Sequence, residues 1–473
     1  MNRFLLLLFA AFALSSCKFG PNFSGAGPQG LPISWVNNLP PASREADLLN
    51  WWACFGDAQL TSLIDRGFAN NPDMVTAAIA IARAETELRA VRSSFLPTAS
   101  ASVGAGNSGS FSSSTSHGMW DGGLSASWTP DIWGRTRRQV EAAFAGLGSS
   151  RAAAAATRTA LAASIATSYF DWILAKESLR FAREQLAYQE RTYSIVSRRV
   201  ANGMQSRLDL AEAQVSITNT RAQIPAYIAG IKAAENTLAT YLGTTVDNVH
   251  LTMPSPKVYN LIPRVPMGLP SELLRRRPDI VRAEHQLHQA TASIGVQVAN
   301  LFPSLTLSGR VGASSGTDFA DFFRDAGWSL SASVSQTIFN RAQLRANVRL
   351  ARLAEQESAQ TYRKTVLAAF AEVEARLIEY ARLTNQLPQY VQAARAGKEA
   401  AELSLRQYNA GTTNFLNVAS AERSWLNAEL NLISTRQQIR STLARLCTAL
   451  GGGWPVPPAA APAQKTTAQE PLS

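Results

Sequence analysis

The chain is written twice. Displaced by 206 residues, "NPDMV" at Asn71 falls on "RPDIV" at Arg277, "FLPTASAS" at Phe95 on "LFPSLTLS" at Leu301, and "SASWTPDIWGR" at Ser125 on "SASVSQTIFNR" at Ser331, with no gap between Pro72 and Arg135. Farther along the displacement is 208, pairing Gly203 with Gly411, Leu208 with Leu416 and Leu242 with Leu450, as a two-residue insertion inside a long helix would produce. One spacing held over more than sixty residues is a tandem duplication. Whatever the chain folds into has two equivalent halves. Each half repeats one order of signals: a helix, a strand opening at Pro97 or Pro303, a loop, a second strand, and a very long helical stretch that turns at a glycine and returns.

The strands are the unusual part of a chain that otherwise reads as helix. Leu305, Leu307 and Val311 share one parity, and Ser304, Thr306, Ser308 and Arg310 the other. Trp328, Leu330, Ala332 and Val334 alternate with Ser329, Ser331, Ser333 and Ser335, and Leu124, Ala126 and Trp128 with Ser125, Ser127 and Thr129. Small hydroxyls on one face and apolar groups on the other suit a strand held between lipid and water. Four strands of about nine or ten residues have the length that crosses a bilayer. Backbone groups in hydrocarbon must all be paired, so an open four-stranded sheet cannot sit there. Single-chain barrels start at about eight strands. The chain must therefore pool its strands with copies of itself, and the rotation that closes the strands arranges the long helices into a ring. The two hairpin loops differ: "NSGSFSSSTSHG" from Asn107 is polar and flexible in character, whereas "SSGTDFADFFRDAG" from Ser314 carries acids and phenylalanines.

The helices exceed globular length. No proline interrupts Arg135 to Asn202, a stretch that would reach roughly 100 Å as one helix. Ile165, Trp172, Leu179, Leu186, Tyr193 and Val200 recur every seventh residue, and Val366, Phe370, Val373, Leu377, Tyr380, Leu387 and Val391 follow fours and threes, the seam of a coiled coil. The run Ala152 to Ala156 allows close helix approach, and Pro225 and Pro388 should kink their helices.

The N-terminus "MNRFLLLLFAAFALSSC" has one basic residue and an apolar run from Phe4 to Leu14, too short to span a bilayer and suited to a signal peptide. "LSSC" resembles a lipobox, which makes Cys17 a lipid acceptor; an ordinary signal peptide with an incidental cysteine is the alternative. Lys18 follows, in place of the Asp that marks retention at the inner membrane, so the outer membrane is the expected address. Cys54 and Cys447 remain, in a compartment where a disulfide can form, and the sequence leaves their pairing open. Four histidines with these thiols make no zinc pattern, and His285 and His288, at i and i+3, read as surface residues. A composition of 46% hydrophobic and 17% charged residues excludes a disordered chain. The net charge of +11 is scattered along helices without a compact basic run, which argues against nucleic acid. GxSxG, HExxH, Walker and dinucleotide motifs are all missing, so no enzyme, metal or cofactor is expected.

Four stretches carry a family resemblance: "CKFGPNF" at Cys17, "WWACFGDAQLTSLI" at Trp51, "LPSELLRRRPDIVRAEHQL" at Leu269 and "LCTALGGGW" at Leu446. Together they resemble the TolC-like outer membrane factors, and within them the OprM/NodT-type lipoproteins, over essentially the whole mature chain. The resemblance implies a mainly α protein with a membrane β-barrel. In that tandem-duplicated TolC-like fold, a homotrimer closes a 12-stranded barrel in outer-membrane lipid, continued by a coiled-coil helical barrel through the periplasm. It implies an exit duct that passively conducts small molecules from an inner-membrane efflux pump and a periplasmic adaptor. The expected layout is a signal peptide at 1–16, a lipidated segment at 17–56, repeats at 57–243 and 270–451 around a linker at 244–269, and an unstructured Pro/Ala-rich tail at 452–473.

The resemblance also places the periplasmic end. The hairpins turn in "RRVANGMQSRLDLAEAQ" and "RQYNAGTTNFLNVASAE", where Gly203, Leu208, Gly411 and Leu416 form the tips on which an adaptor docks. Tyr408, Asn414 and Leu416 match positions that line or restrain a closed entrance. Where the family commonly has an Asp, this chain has Ser420, and Asn417 supplies no charge either. The expected gate is held by Leu416 packing and Tyr408 hydrogen bonding in place of carboxylates. Two other roles fit parts of the pattern: a duct for one-step protein secretion, and a non-conducting coiled-coil scaffold, which would have no use for lipid-length hairpins.

Overall fold

The computed structural model describes residues 18–25, 48–109, 116–259, 261, 272–315 and 326–455. Cys17, the leader before it and the chain after residue 455 lie outside them. The main elements are α1 (Ala58–Asn70), α2 (Pro72–Ser93), β1 (Thr98–Gly109), β2 (Ser116–Trp128), α3 (Arg135–Ala201), α4 (Arg207–Tyr241), α5 (Pro278–Ala299), β3 (Ser304–Ser315), β4 (Gly327–Ser335), α6 (Arg341–Asn409) and α7 (Phe415–Ala449). The uninterrupted helix expected after Arg135 is α3, 67 residues long, and its counterpart α6 has 69. Neither Pro225 in α4 nor Pro388 in α6 ends its helix.

The chain forms two compact units that cut across the two copies. One gathers residues 79–152 and 281–365 with the described N-terminal segment; the other gathers 153–280, 366–455 and the described residues between Leu48 and Ala78. Each unit takes an equivalent slice from both halves of the duplication.

The first unit holds the sheet, antiparallel throughout in the order β1-β2-β3-β4. Three of its strands have 12 or 13 residues, longer than the expected nine or ten, and β4 has nine. The excess lies in what read as loop: Asn107 and Gly109 pair with Gly118 and Ser116, and Ser314 and Ser315 with Asp121 and Trp120. A hairpin ladder continues beyond the apolar stretch because small polar residues still pair their backbones in water. Residues 110–115 and 316–325 fall outside the described set.

The second unit has its core around α3. Ile165, Tyr169 and Trp172 are buried with Trp51, Trp52, Phe55, Leu60 and Ile64, and the rings of Phe55 and Phe170 meet at a tilt of 50° with centroids 5.0 Å apart. Asp57 starts α1 by accepting from the Gln59 and Leu60 amides, and it accepts the Tyr169 hydroxyl at 2.8 Å. The expected heptad seam holds through Leu179. Below it the buried residues of α3 are Phe181, Ala182, Gln185, Gln189, Thr192 and Val196, off the expected seven-residue series, while Leu186, Tyr193 and Val200 are half-buried. The helix changes partners there: Trp172 bonds to Glu235 of α4, but Tyr188 donates to the Ala401 carbonyl of α6 and Thr192 to Glu422 of α7. In α6 the seam holds from Val366 to Tyr380, and Val391 at its end is exposed.

Two segments expected to be slack are held in place. In the linker, Tyr259 lies under the guanidinium of Arg440, 4.5 Å from its ring centroid, and Thr252 bonds to Gln59. The first residues of the expected tail are ordered: the Gly453 amide donates to Leu48, and buried Trp454 donates to the Arg276 carbonyl at 2.7 Å. Cys54 and Cys447 are free thiols in this structure, with burial pushing Cys54 up to about 12 and Cys447 well above its usual range, which disfavours the thiolate at both. His285 and His288 are not surface residues as expected: both are partly buried where α5 faces α3.

Candidate functional site

Three places carry the features a duct would need, and each lies within one unit. The first is the sheet. Its register keeps every parity class on one face: Ser125 lies between Ser100 and Arg310, and Leu124 between Ala101 and Val311. Hydroxyls meet across strands, Ser100 with Ser125 at 2.8 Å and Ser308 with Ser331 at 3.0 Å. The opposite face presents Val103, Leu124, Val311, Trp328, Leu330 and Val334, each more than half exposed, and no charged residue. The outer edges of β1 and β4 have no partner strand among the described residues. A sheet with a bare apolar face and two open edges is incomplete as a single chain.

The second place is the segment that follows Cys17. Arg138, fully buried at the start of α3, donates from Nε to the Phe19 carbonyl (3.0 Å) and from Nη2 to the Gly20 carbonyl and to Asn22 (both 2.9 Å), and from Nη1 to Glu141 (2.9 Å). Lys18 reaches Glu141 at 2.6 Å and His288 bonds to it at 3.1 Å. Burial alone would raise the Glu141 carboxyl; hydrogen bonds from Lys18, His288 and Arg138 outweigh it and bring the group down to about 2. Phe19 stacks on Phe302 at 4.6 Å and Phe23 on His288 at 4.5 Å. Gly20, at φ +91°, leaves no room for a side chain, since a Cβ would lie 2.5 Å from the Gly295 backbone. The chain just after Cys17 is thus clamped onto helices α3 and α5.

The third place is the pair of helical turns in the second unit. Gly203 (φ +72°) and Gly411 (φ +79°) end α3 and α6. At each, the glycine amide bonds back to Val200 or Tyr408 and the next amide to Arg199 or Gln407, the Schellman pattern that needs a positive φ. Gly243 and Gly451 end α4 and α7 in the same way, so the 208-residue displacement relates both pairs of caps. Ser206 caps α4 through the Leu208 amide, and its counterpart Asn414 caps α7 through the Asn417 amide. Asn414 is therefore first a helix cap.

Of the expected gate residues, Tyr408 is buried with Val196, Ala213, Phe415 and Val418, its ring edge-on to Phe415 at 5.8 Å. Its hydroxyl is buried without a hydrogen-bond partner among the described residues. Among those residues the side chain of Tyr408 makes no hydrogen bond of the kind expected; the ring supplies packing. Leu416 and Leu208 are 60% and 64% exposed, and Ser420, one turn after Leu416, is exposed too, so most of each side chain is uncovered by the described residues.

Two residues at this end were not singled out from sequence. Arg199 donates to the carbonyls of Tyr408 and, at 3.2 Å, Asn409, and its guanidinium lies 5.0 Å from the Tyr408 ring centroid. It ties the turn of the first copy to the end of α6, where a cation meets the negative end of the helix. The only signal was "RRV" before the glycine; its counterpart in the other copy is Gln407, so the duplication does not reveal it. Glu422 is 3% exposed and receives one hydrogen bond, from Thr192 at 3.3 Å. Burial pushes its carboxyl up to about 7, and the Thr192 bond lowers it only in part. In α3, ahead of Thr192, both side-chain polar atoms of buried Gln185 and the Oε1 of buried Gln189 lack partners among the described residues.

Comparison with known proteins agrees with this geometry. The model of a family described as outer membrane efflux protein matches the chain twice, over residues 63–244 and 269–452, displaced by 206 residues at the start and 208 at the end. The pyoverdine export outer membrane protein OpmQ of Pseudomonas aeruginosa is 31% identical over 463 residues, covering 95% of this chain and 97% of OpmQ. The probable outer membrane lipoprotein SilC of Salmonella typhimurium is 30% identical, covering 95% of this chain and 98% of SilC. The open-state outer membrane channel MtrE of Neisseria gonorrhoeae superposes with a TM-score of 0.84 at 29% identity, over 92% of this chain and 98% of MtrE.

Proposed function

The chain belongs to the outer membrane efflux protein family, has the TolC-like fold and resides in the outer membrane; from that premise we propose that it is the exit duct of a tripartite efflux system. It conducts small molecules, drugs and toxic compounds among them, from an inner-membrane pump and a periplasmic adaptor to the outside. The observation that carries this reading is the sheet: a charge-free apolar face, a hydroxyl face and two open edges. Hydrocarbon tolerates no unpaired strand edge, so β4 of one copy pairs with β1 of the next. Three copies give twelve strands, with the apolar face to lipid and the serines to a water-filled lumen.

The duct performs no chemistry of its own, and flow follows what the pump delivers. Lipid on Cys17 adds a second hold on the membrane, and the Arg138 clamp on residues 19–22 transmits that hold to the helices. The exposed Leu416 and Ser420 of each copy converge to close the periplasmic entrance, with Leu208 and the glycine turns offered to the adaptor. Opening requires Arg199 to release the Tyr408 and Asn409 carbonyls so that the two hairpins separate.

Conductance tests the proposal. The full chain, purified from outer membranes in detergent, should insert into a planar lipid bilayer and give discrete conductance steps that rise when Arg199 is replaced by Ala. Protein that folds and leaves the bilayer electrically silent under every condition would refute it.

A further inference from the structure

The hydroxyl face of the sheet is almost free of charge. Of the residues on that parity in the four strands, Arg310 and Asp121 are the only charged ones. Arg310 stands at mid-length of β3, six residues after Ser304 and five before Ser315, directly opposite Ser125 on β2 and Ser329 on β4. It is exposed, and it borders a cavity of about 230 Å³ walled by the hydroxyls of Thr98, Ser100, Ser125 and Ser331. No ion pair or hydrogen bond engages its guanidinium among the described residues. Asp121 lies opposite Ser314, four positions away along the strands, about 13 Å. That exceeds both salt-bridge reach and the screening length of about 8 Å at physiological salt.

A charge at mid-span is costly on a lipid-facing surface, and the parity of Arg310 turns it away from the apolar face. Hydroxyls can solvate a guanidinium, but none neutralises it. We propose that Arg310 forms a cationic girdle of three guanidiniums at mid-height of the lumen, which favours anionic solutes such as carboxylates and phosphates over cations. This rests on the trimeric duct proposed above. Twelve strands spaced about 4.8 Å apart and tilted about 40° enclose a ring about 24 Å across, which a side chain of arginine length narrows to about 6 to 8 Å from the axis. At that distance in screened water, three such charges raise the occupancy of a monovalent anion on the axis roughly threefold and lower that of a cation to match.

Reversal potentials in a potassium chloride gradient across a planar bilayer test it, using the full-length chain. Arg310→Ser, which extends the surrounding hydroxyl surface, should keep a conducting channel while its chloride-to-potassium permeability ratio falls roughly threefold or more. Arg310→Lys should keep the wild-type ratio, and Asp121→Ser should shift it towards chloride. A conducting Arg310→Ser channel with an unchanged ratio overturns the girdle and leaves the duct standing, as does an Arg310→Lys channel that shifts as far as Arg310→Ser. A wild-type chain that never conducts overturns the duct and the girdle with it.

Discussion

Glu422→Gln is the substitution whose effect can be worked most fully from the structure. The carboxyl is buried between α3 and α7 with one hydrogen bond, and burial lifts it from its ordinary value of 4.5 to about 7. No charged neighbour among the described residues offsets the burial; burial first and then the charge of Glu422 push the half-buried Tyr188 hydroxyl upward. Because the folded pKa is raised, the folded state binds the proton more tightly than the unfolded one. Below about pH 4.5 both states hold the proton and Glu422 costs nothing. Between pH 4.5 and 7 the folded state loses stability relative to the unfolded, and above about 7 the cost is complete, about 3 kcal/mol. Gln keeps the shape without the charge, so the variant should melt higher than wild type at pH 8. Spread over the unfolding entropy of 473 residues, the cost corresponds to about 3 °C. The gap should shrink to about 1 °C by pH 5. Far-ultraviolet circular dichroism melts in detergent at pH 5, 6, 7 and 8 measure it. A gap that is the same at every pH, or none at any, would refute the assignment of a strained buried carboxyl at this position.

Three more outcomes follow from named contacts. Gly411→Ala forces a β-carbon into a turn held at φ +79° and should destabilise the protein by about 1 to 2 kcal/mol, read by denaturant unfolding, whereas Ala410→Gly next to it should cost less than 1. Arg138→Ala removes the donors to Phe19, Gly20 and Asn22 and should speed amide exchange in residues 18–25 while leaving α7 protected, as mass spectrometry of deuterated peptides would show. Leu416→Ala should raise the resting conductance, since its side chain is mostly exposed and free to pack between copies; Tyr408→Phe should leave it unchanged, because the hydroxyl it removes has no hydrogen-bond partner among the described residues.

The architecture was legible in the sequence where a period or a duplication enforced it. The proline-free stretch after Arg135 became one helix, alternation placed Ser125 and Ser127 of β2 and every serine of β4 on one face, and the paired glycines became paired caps. Periodicity failed where α3 exchanges one neighbour for another: below Leu179 the polar Gln185, Gln189 and Thr192 are buried among Phe181, Ala182 and Val196, and no hydrophobic pattern marks them. Composition misled at Trp454, which reads as the start of a Pro/Ala-rich tail but is anchored by its indole to Arg276. Arg138, Arg199 and Glu422 escaped for a related reason. Each depends on a partner from a distant segment, and each is matched in the other copy by an uncharged residue, Leu344, Gln407 and Gln214, so comparing the halves gave no hint.

The claim beneath all of this is that the sheet is one third of a closed wall. Light scattering of the detergent-purified protein, combined with amide exchange of β1 and β4, tests it most directly. The particle should have the mass of three chains, with the edge amides of both strands protected, and both features should be lost together when the assembly is dissociated. A single-chain particle whose β1 and β4 amides are nonetheless protected would show that the sheet completes itself without other copies.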